Sequence, residues 1–310
     1  MGFGGGALIG SPLADNLMKF YATPTSVGVL QTFVTMGIIY FILMMFGVFT
    51  VRVPAADWKP EGYTPPVKQG NAMITSASVT ADEAIKTPQF YLLWLILFLN
   101  VTAGIGILAQ ASPLIQEMFP GRVTAAAAAG FVGLLSLFNL VGRFFWSSLS
   151  DIIGRKYTYI VYLGLGCALY ALVPSLGSAG NLVLFVVTFC VILSMYGGGF
   201  ATIPAYLRDM FGTHQVGAIH GRLLTAWSAA AIAGPSIVTY LRDYQIKSLG
   251  VAPKDAYSTA IYIMAGLLVI GFISNLLVRP VDLSHYYKGE TAPNVPPEPE
   301  TARVQQGATV

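Results

Sequence analysis

Charge is what this sequence has least of. Asp, Glu, Lys and Arg make up 10% of its 310 residues, while hydrophobic side chains make up 55%. A soluble domain carries roughly 25% charged residues. So deep a shortage excludes an ordinary water-soluble fold, because most of the surface must face something other than water. Cysteine is nearly absent as well. Cys167 and Cys190 both sit in apolar runs and read as small packing residues, not as a disulfide or a metal site. The net charge of +3 is spread over loops, with no basic patch interleaved with aromatics, so nucleic acid is not an expected partner. There is no GxxxxGK(S/T) loop, no HExxH and no nucleophile elbow. An ATP-driven pump and an enzyme are therefore not expected, nor is a cofactor. His214, His220 and His285 lie at or beyond helix ends without neighbouring ligands, which excludes an obvious metal centre. After Met1 the chain runs straight into "GFGGGALIGSPLADNLM", which lacks the basic start of a signal peptide.

What fills the chain instead is long uncharged segments. Phe20 to Val51, Thr87 to Gln116, Val123 to Gly142, Tyr157 to Leu207, Leu223 to Leu241 and Ala256 to Val278 contain no charged residue. A membrane-spanning helix needs about 20 apolar residues. The Tyr157–Leu207 segment is long enough for two, and "VPSLGSAGN" marks the turn between them. The pattern predicts an all-α polytopic membrane protein with seven complete spans, at 27–51, 88–116, 124–148, 157–174, 182–207, 219–241 and 256–279. Ahead of them, Met1 to Leu17 is glycine-rich and short, and reads as the second half of a helix. Asp15 and Lys19 stand at i,i+4 near its end and are expected to pair.

The longest interior polar stretch, Arg52 to Thr87, mixes prolines with both charge signs and reads as a solvated linker. It closes on Thr80 to Lys86, where Thr80 and Glu83 have the spacing of a helix capping box. The tail 281–310, with "APNVPPEPETARVQQGATV", has the composition of a disordered segment. Placing the linker in the cytoplasm puts eleven basic residues on that side and five on the other. The positive-inside rule then places the C-terminus in the cytoplasm.

Three stretches carry the chemistry. In "SSLSDIIGRK", Ser147 to Lys156, Asp151 can cap a helix end and Gly154 permits a turn, while Arg155 and Lys156 can meet anionic headgroups. This D-x-x-G-R-K pattern resembles the loop signature of the major facilitator superfamily. "GFGGGALIGSPLAD", "NLVGRFFWSSLSD", "AYLRDMFGTHQVGAIHGRLLTAWSAA" and "AGP" resemble, more narrowly, the oxalate/formate antiporter family, over Met1 to Arg279. The resemblance implies twelve helices in two halves, with this chain starting within the fifth. Residues 1–51 would then be the end of the first half (partial helix 1–18, helix 27–51) and 52–87 the central cytoplasmic loop. Residues 88–280 would be the six-helix second half, and 281–310 a cytoplasmic tail.

The second stretch holds Asn139 and Arg143, one helical turn apart. Arg143 precedes Asp151 by eight residues, about 12 Å of helix, so it lies well inside the membrane. Placing an arginine there costs at least about 2.5 kcal/mol. Three readings remain open: snorkelling to the headgroups, structural pairing with a carboxylate, or an anion site built on a planar, permanently charged fork. The family resemblance favours the last, since this arginine is similar to the substrate-binding one. The third stretch is "LLTAWSAAAIAGP", Leu223 to Pro235, where Trp227 either packs or walls a cavity. Oxalate exchangers are expected to carry a lysine one turn after this tryptophan, and this chain has Ala230. One cation balances a monocarboxylate better than a dianion. In "MYGGGF" the glycines allow close helix approach, and Tyr196 either packs or hydrogen-bonds a ligand. Asn100 and Gln110 are cavity polars or interhelical bridges.

The resemblance implies a secondary carrier for a small carboxylate, formate or lactate before oxalate. It would be monomeric in the lipid bilayer of a bacterial inner membrane and work by alternating access. Arg143, Asn139, Trp227 and Tyr196 are its candidate substrate residues. No acidic residue lies deep in a complete span, so a counter-anion or residues elsewhere would have to supply the coupling. Two alternatives stand beside it. One is a non-transporting carboxylate sensor or inactive truncated carrier. The other is a carrier of neutral solutes, which leaves Arg143 without a ligand.

Overall fold

The computed structural model describes residues 2–52, 58, 73–75 and 77–286. The chain divides into two compact units, Met1–Gly70 and Asn71–Val310. Among the described residues, seven helical stretches are long and apolar enough to cross a membrane.

In the first unit α1 (Gly2–Tyr21) and α2 (Val29–Thr50) pack together. The turn between them closes with Thr23 and Ser26 exchanging backbone hydrogen bonds, and Gly28 enters α2 at φ +73°. A Cβ there would lie 2.8 Å from Tyr21, so both backbone and space demand glycine. Tyr21 Oη meets Thr35 Oγ1 at 2.9 Å, and Lys19 pairs with Asp15 at 2.5 Å as its spacing predicts.

The second unit contains α3 (Ala81–Ala84), α4 (Pro88–Met118), α5 (Ala125–Ile153), α6 (Arg155–Ser178), α7 (Leu182–Phe211), α8 (Val216–Leu223), α9 (Thr225–Lys247) and α10 (Ser258–Leu277). Side-chain caps open several of them: Thr87 Oγ1 accepts from Phe90 N, Thr124 Oγ1 from Ala127 N and Asn181 Oδ1 from Leu184 N. The predicted spans hold, with ends shifted by a few residues. One differs in kind. The helix expected at 219–241 is interrupted at Leu224, which separates α8 from α9. Trp94 of α4 donates to Thr225 Oγ1 at 2.9 Å just past that break.

The principal helix pairs are α5 with α7, α4 with α9, and α6 with α10. Lipid removes the hydrophobic force that drives helices together in water, so close packing and interhelical hydrogen bonds must do the work. Small residues let it happen. On α9, Ala226, Ala230, Gly234 and Val238 are buried at every fourth position. A Cβ on Gly234 would stand 2.6 Å from the Thr102 carbonyl oxygen of α4. On α5, Gly142 lies against the backbone of Ser194 on α7; there a Cβ would come within 2.6 Å of the Ser194 carbonyl carbon.

Both segments expected to be solvated are packed in part, although Arg52, Trp58 and Ile74 are exposed. Ser78, Val79, Ala81, Ala84 and Thr87 are buried, and Val79 N donates to the Phe211 carbonyl at 2.8 Å. The helix expected to Lys86 stops at Ala84. Thr80 Oγ1 does accept from Glu83 N, but the Glu83 carboxylate turns to Lys86 at 2.6 Å and His285 at 3.3 Å, leaving the capping box half made. Arg222 secures the same segment, donating to the Ala81 carbonyl at 2.6 Å and to Asp82 at 2.7 Å. Val281 is buried and Tyr286 bridges to Val79; the rest of the expected tail, 287–310, lies outside the described residues.

The Gly142 contact yields a paired test. Gly142→Ala is expected to destabilise the protein by about 1–3 kcal/mol, because a methyl there meets backbone. Gly133→Ala on the same helix has nothing within 4 Å of the new carbon and should stabilise by about 0.5–1 kcal/mol. Thermal melting of the two variants in detergent, beside the parent, measures both signs.

Candidate functional site

Arg143 is half-buried on α5, and its Nε donates to Asn139 Oδ1 at 3.2 Å. The acceptor lies one turn back along the helix. The guanidinium is thus drawn toward the α5 N-terminus, away from the Ser147–Lys156 end. Snorkelling to that end is therefore not the geometry adopted. Three carboxylates near span ends are held by cations: Asp209 by Arg155 at 3.3 Å, Glu117 by Arg242 at 2.5 Å, and Asp243 by Lys247 at 2.6 Å.

Aromatic rings make the wall beside the arginine. The Arg143 guanidinium carbon lies 5.4 Å from the centroid of the Phe200 ring, within cation–π range. Trp227 and Tyr196 each meet Phe200 edge-on, at 5.3 and 5.5 Å between centroids. Arg143, Asn139, Tyr196 and Trp227, expected from sequence to share a site, are thus gathered from α5, α7 and α9 around one residue that sequence reasoning passed over. Phe200 closes the "MYGGGF" motif. Its signal was the i,i+4 spacing to Tyr196, which places both rings on one face.

The motif's glycines explain how the helices come near enough. A Cβ on Gly197 would stand 2.5 Å from Asn139 Oδ1. On Gly198 it would stand 2.6 Å from both Trp146 Cβ on α5 and the Tyr162 hydroxyl on α6, and on Gly199 2.8 Å from Asn100 Nδ2 on α4. Three successive glycines therefore receive side chains from three helices. Asn100 is buried and its Nδ2 has no hydrogen-bond partner among the described residues. It lines a small cavity with Gly104, Tyr162, Tyr170, Met195 and Tyr196. Gln110 serves as an interhelical bridge, donating to Thr239 Oγ1 at 2.9 Å.

The position after Trp227 is equally telling. Ala230 is fully buried, on the small-residue stripe that α9 turns toward α4. At the loop motif, Gly154 is the single residue joining α5 to α6, at φ +88°. Arg155 and Lys156, expected at the headgroups, are instead engaged by the protein. Arg155 bonds Ser150, Asp151 and Asp209, and Lys156 donates to the Val278 and Leu276 carbonyls at 2.7 and 3.0 Å. Those two carbonyls belong to the unsatisfied end of α10, so Lys156 caps it. Cys167 and Cys190 are both free thiols. No metal-binding cluster is found among the described residues.

Seven spans of this length and hydropathy mark a multi-pass integral membrane protein. The Major Facilitator Superfamily profile matches residues 1–235 and 125–304. The chain belongs to that superfamily. It is 28% identical over 279 residues to the "Oxalate:formate antiporter" of Oxalobacter formigenes, covering 90% of this chain and 60% of that protein. It is 23% identical over 208 residues to the "Uncharacterized MFS-type transporter YhjX" of Escherichia coli (strain K12), covering 67% of this chain and 48% of the relative. The chain thus spans about half to three-fifths of these curated relatives. Among solved structures it is similar to a bacterial homolog of the human lysosomal transporter Spinster, crystallised inward-facing and unoccupied. The TM-score is 0.57 at 15% identity, covering 92% of this chain and 67% of that one, which is a likeness of fold.

The burial of Ala230 leads to a direct test. Ala230→Lys is expected to place an amine in the α4–α9 seam at a cost of several kcal/mol, about what an unpaired buried charge exacts. The variant should lose its monodisperse peak on size exclusion. An unaltered peak and melting temperature would show that the position opens onto a space able to hold a cation.

Proposed function

We propose that this chain belongs to a secondary carrier that moves a small monocarboxylate across the membrane by alternating access. The observation carrying the reading is Arg143, fixed by Asn139 inside a span and set against the Phe200 ring. A guanidinium offers a carboxylate two parallel N–H donors. The edges and faces of Tyr196, Phe200 and Trp227 would enclose the ligand's apolar side. Similarity to a protein named as an oxalate:formate antiporter supports the ligand class. Charge balance selects within it. One arginine neutralises one carboxylate, and the place where a second cation would stand is Ala230, packed into a helix seam. Formate and lactate therefore fit better than oxalate.

The rest of the arrangement follows the same reading. Residues 1–51 close the first half of the carrier, 52–87 link the halves, 88–280 form the six-helix second half, and 281–310 make a tail. The Ser147–Lys156 loop and the C-terminus face the cytoplasm of a bacterial inner membrane, and the carrier acts as a monomer. Every carboxylate on the spans of the second unit lies near a helix end and in an ion pair, so exchange against a second anion supplies the driving force.

Counterflow in proteoliposomes tests this. With labelled formate inside, external formate and lactate should exchange and oxalate should exchange at least about tenfold more slowly. Arg143→Gln, while still inserted and monodisperse, should lose roughly 10- to 100-fold in exchange, the worth of a charge-assisted bond. Exchange at the parent rate in that variant would remove Arg143 from the site. Saturable quenching of tryptophan fluorescence by formate with no counterflow would instead mark a carboxylate-binding protein that does not transport.

A further inference from the structure

Tyr196 lies in a notch that glycine alone leaves open. A Cβ on Gly104 of α4 would stand 2.8 Å from Tyr196 Cε2 and 2.9 Å from Cγ, and nearer still to Cδ2. For the nearest ring atom to reach ordinary van der Waals distance the ring would have to give way by more than about 1 Å. Two directions are open to it. One leads to the cavity that Tyr196 shares with Asn100, Tyr162 and Tyr170, but that space takes about one water molecule and not a phenol ring. The other leads toward Phe200, already 5.5 Å off and edge-on, and so toward the guanidinium that Phe200 carries.

We infer that Gly104 sets the size of the carboxylate the site accepts, by fixing how far the Tyr196 ring stands out from α4. This rests on the reading of Arg143 as the carboxylate anchor. Gly104 touches no ligand in this scheme; it is a specificity-determining residue that acts through Tyr196. With glycine there the ring retracts, and an acid bearing a methyl or larger substituent fits beside it. With a methyl on α4 the ring advances and the room for that substituent closes, while formate, which carries only a hydrogen, is still admitted. A single methyl in a pocket is worth about 10- to 200-fold in discrimination.

The experiment compares lactate with formate counterflow for the parent and Gly104→Ala, using the full chain in proteoliposomes. The lactate-to-formate ratio should fall about tenfold or more in the variant. A ratio that stays the same, or that moves toward lactate, overturns the inference and leaves the carboxylate reading standing. Failure of the parent to exchange either acid overturns the reading beneath it. Because the methyl also strains the fold, the melting temperatures of Gly104→Ala and Gly104→Ala/Tyr196→Leu are measured alongside. Removing the ring should recover most of the lost stability. A double variant no more stable than the single one would show that something other than Tyr196 demands glycine at 104.

Discussion

The site depends on how closely α7 approaches its neighbours. Gly197, Gly198 and Gly199 receive Asn139, then Trp146 with Tyr162, then Asn100, from α5, α6 and α4. A side chain at any of the three would push one of those helices outward. In water such a loss is offset by burying the new side chain, but lipid is as apolar as the side chain itself, and only contact is left to hold helices together. The same approach that packs the bundle brings Arg143 beside Phe200. Asn139 serves both purposes: its side chain fills the notch over Gly197 and its Oδ1 holds Arg143 Nε. Packing and electrostatics at this point are one arrangement.

Charge is otherwise kept to the helix ends, where water and headgroups screen it. Arg155 with Asp151 and Asp209, Arg242 with Glu117 and Asp243, and Arg222 with Asp82 each join an element to a neighbour or to itself near its end. Arg242 grips Glu117 through two nitrogens and so ties the end of α4 to that of α9. Arg143 departs from this pattern, standing ten residues before the end of α5. A cation held that deep costs free energy, and the aromatic wall offsets part of it. In the role proposed for Arg143, an exchangeable anion would offset more.

Local rules made much of this legible. Uncharged length announced the spans, and the i,i+4 spacing announced both the Asp15–Lys19 pair and the Asn139–Arg143 contact, because partners within one helix are fixed by helix geometry alone. The inward turn of Arg155 and Lys156 was not legible. Beyond Ser150 and Asp151 beside Arg155, their acceptors, Asp209 and the carbonyls at the end of α10, lie more than fifty residues away in the chain. Nor was the packing of residues 77–87, whose mixed composition suits solvent equally well and whose partners Phe211, Gln215 and Arg222 come from other elements.

By itself, then, the sequence determined the membrane-spanning class, the place of each span and the presence of a cation inside one of them. Hydropathy and helical period act over a few neighbouring residues and need no partner. The tertiary structure alone decided which way Arg143 points, that Phe200 lies beside it, that Ala230 faces a seam, and that Gly104 leaves room for a ring. Each of those facts concerns the distance between two helices, and that distance is set by the smallest side chains where they cross.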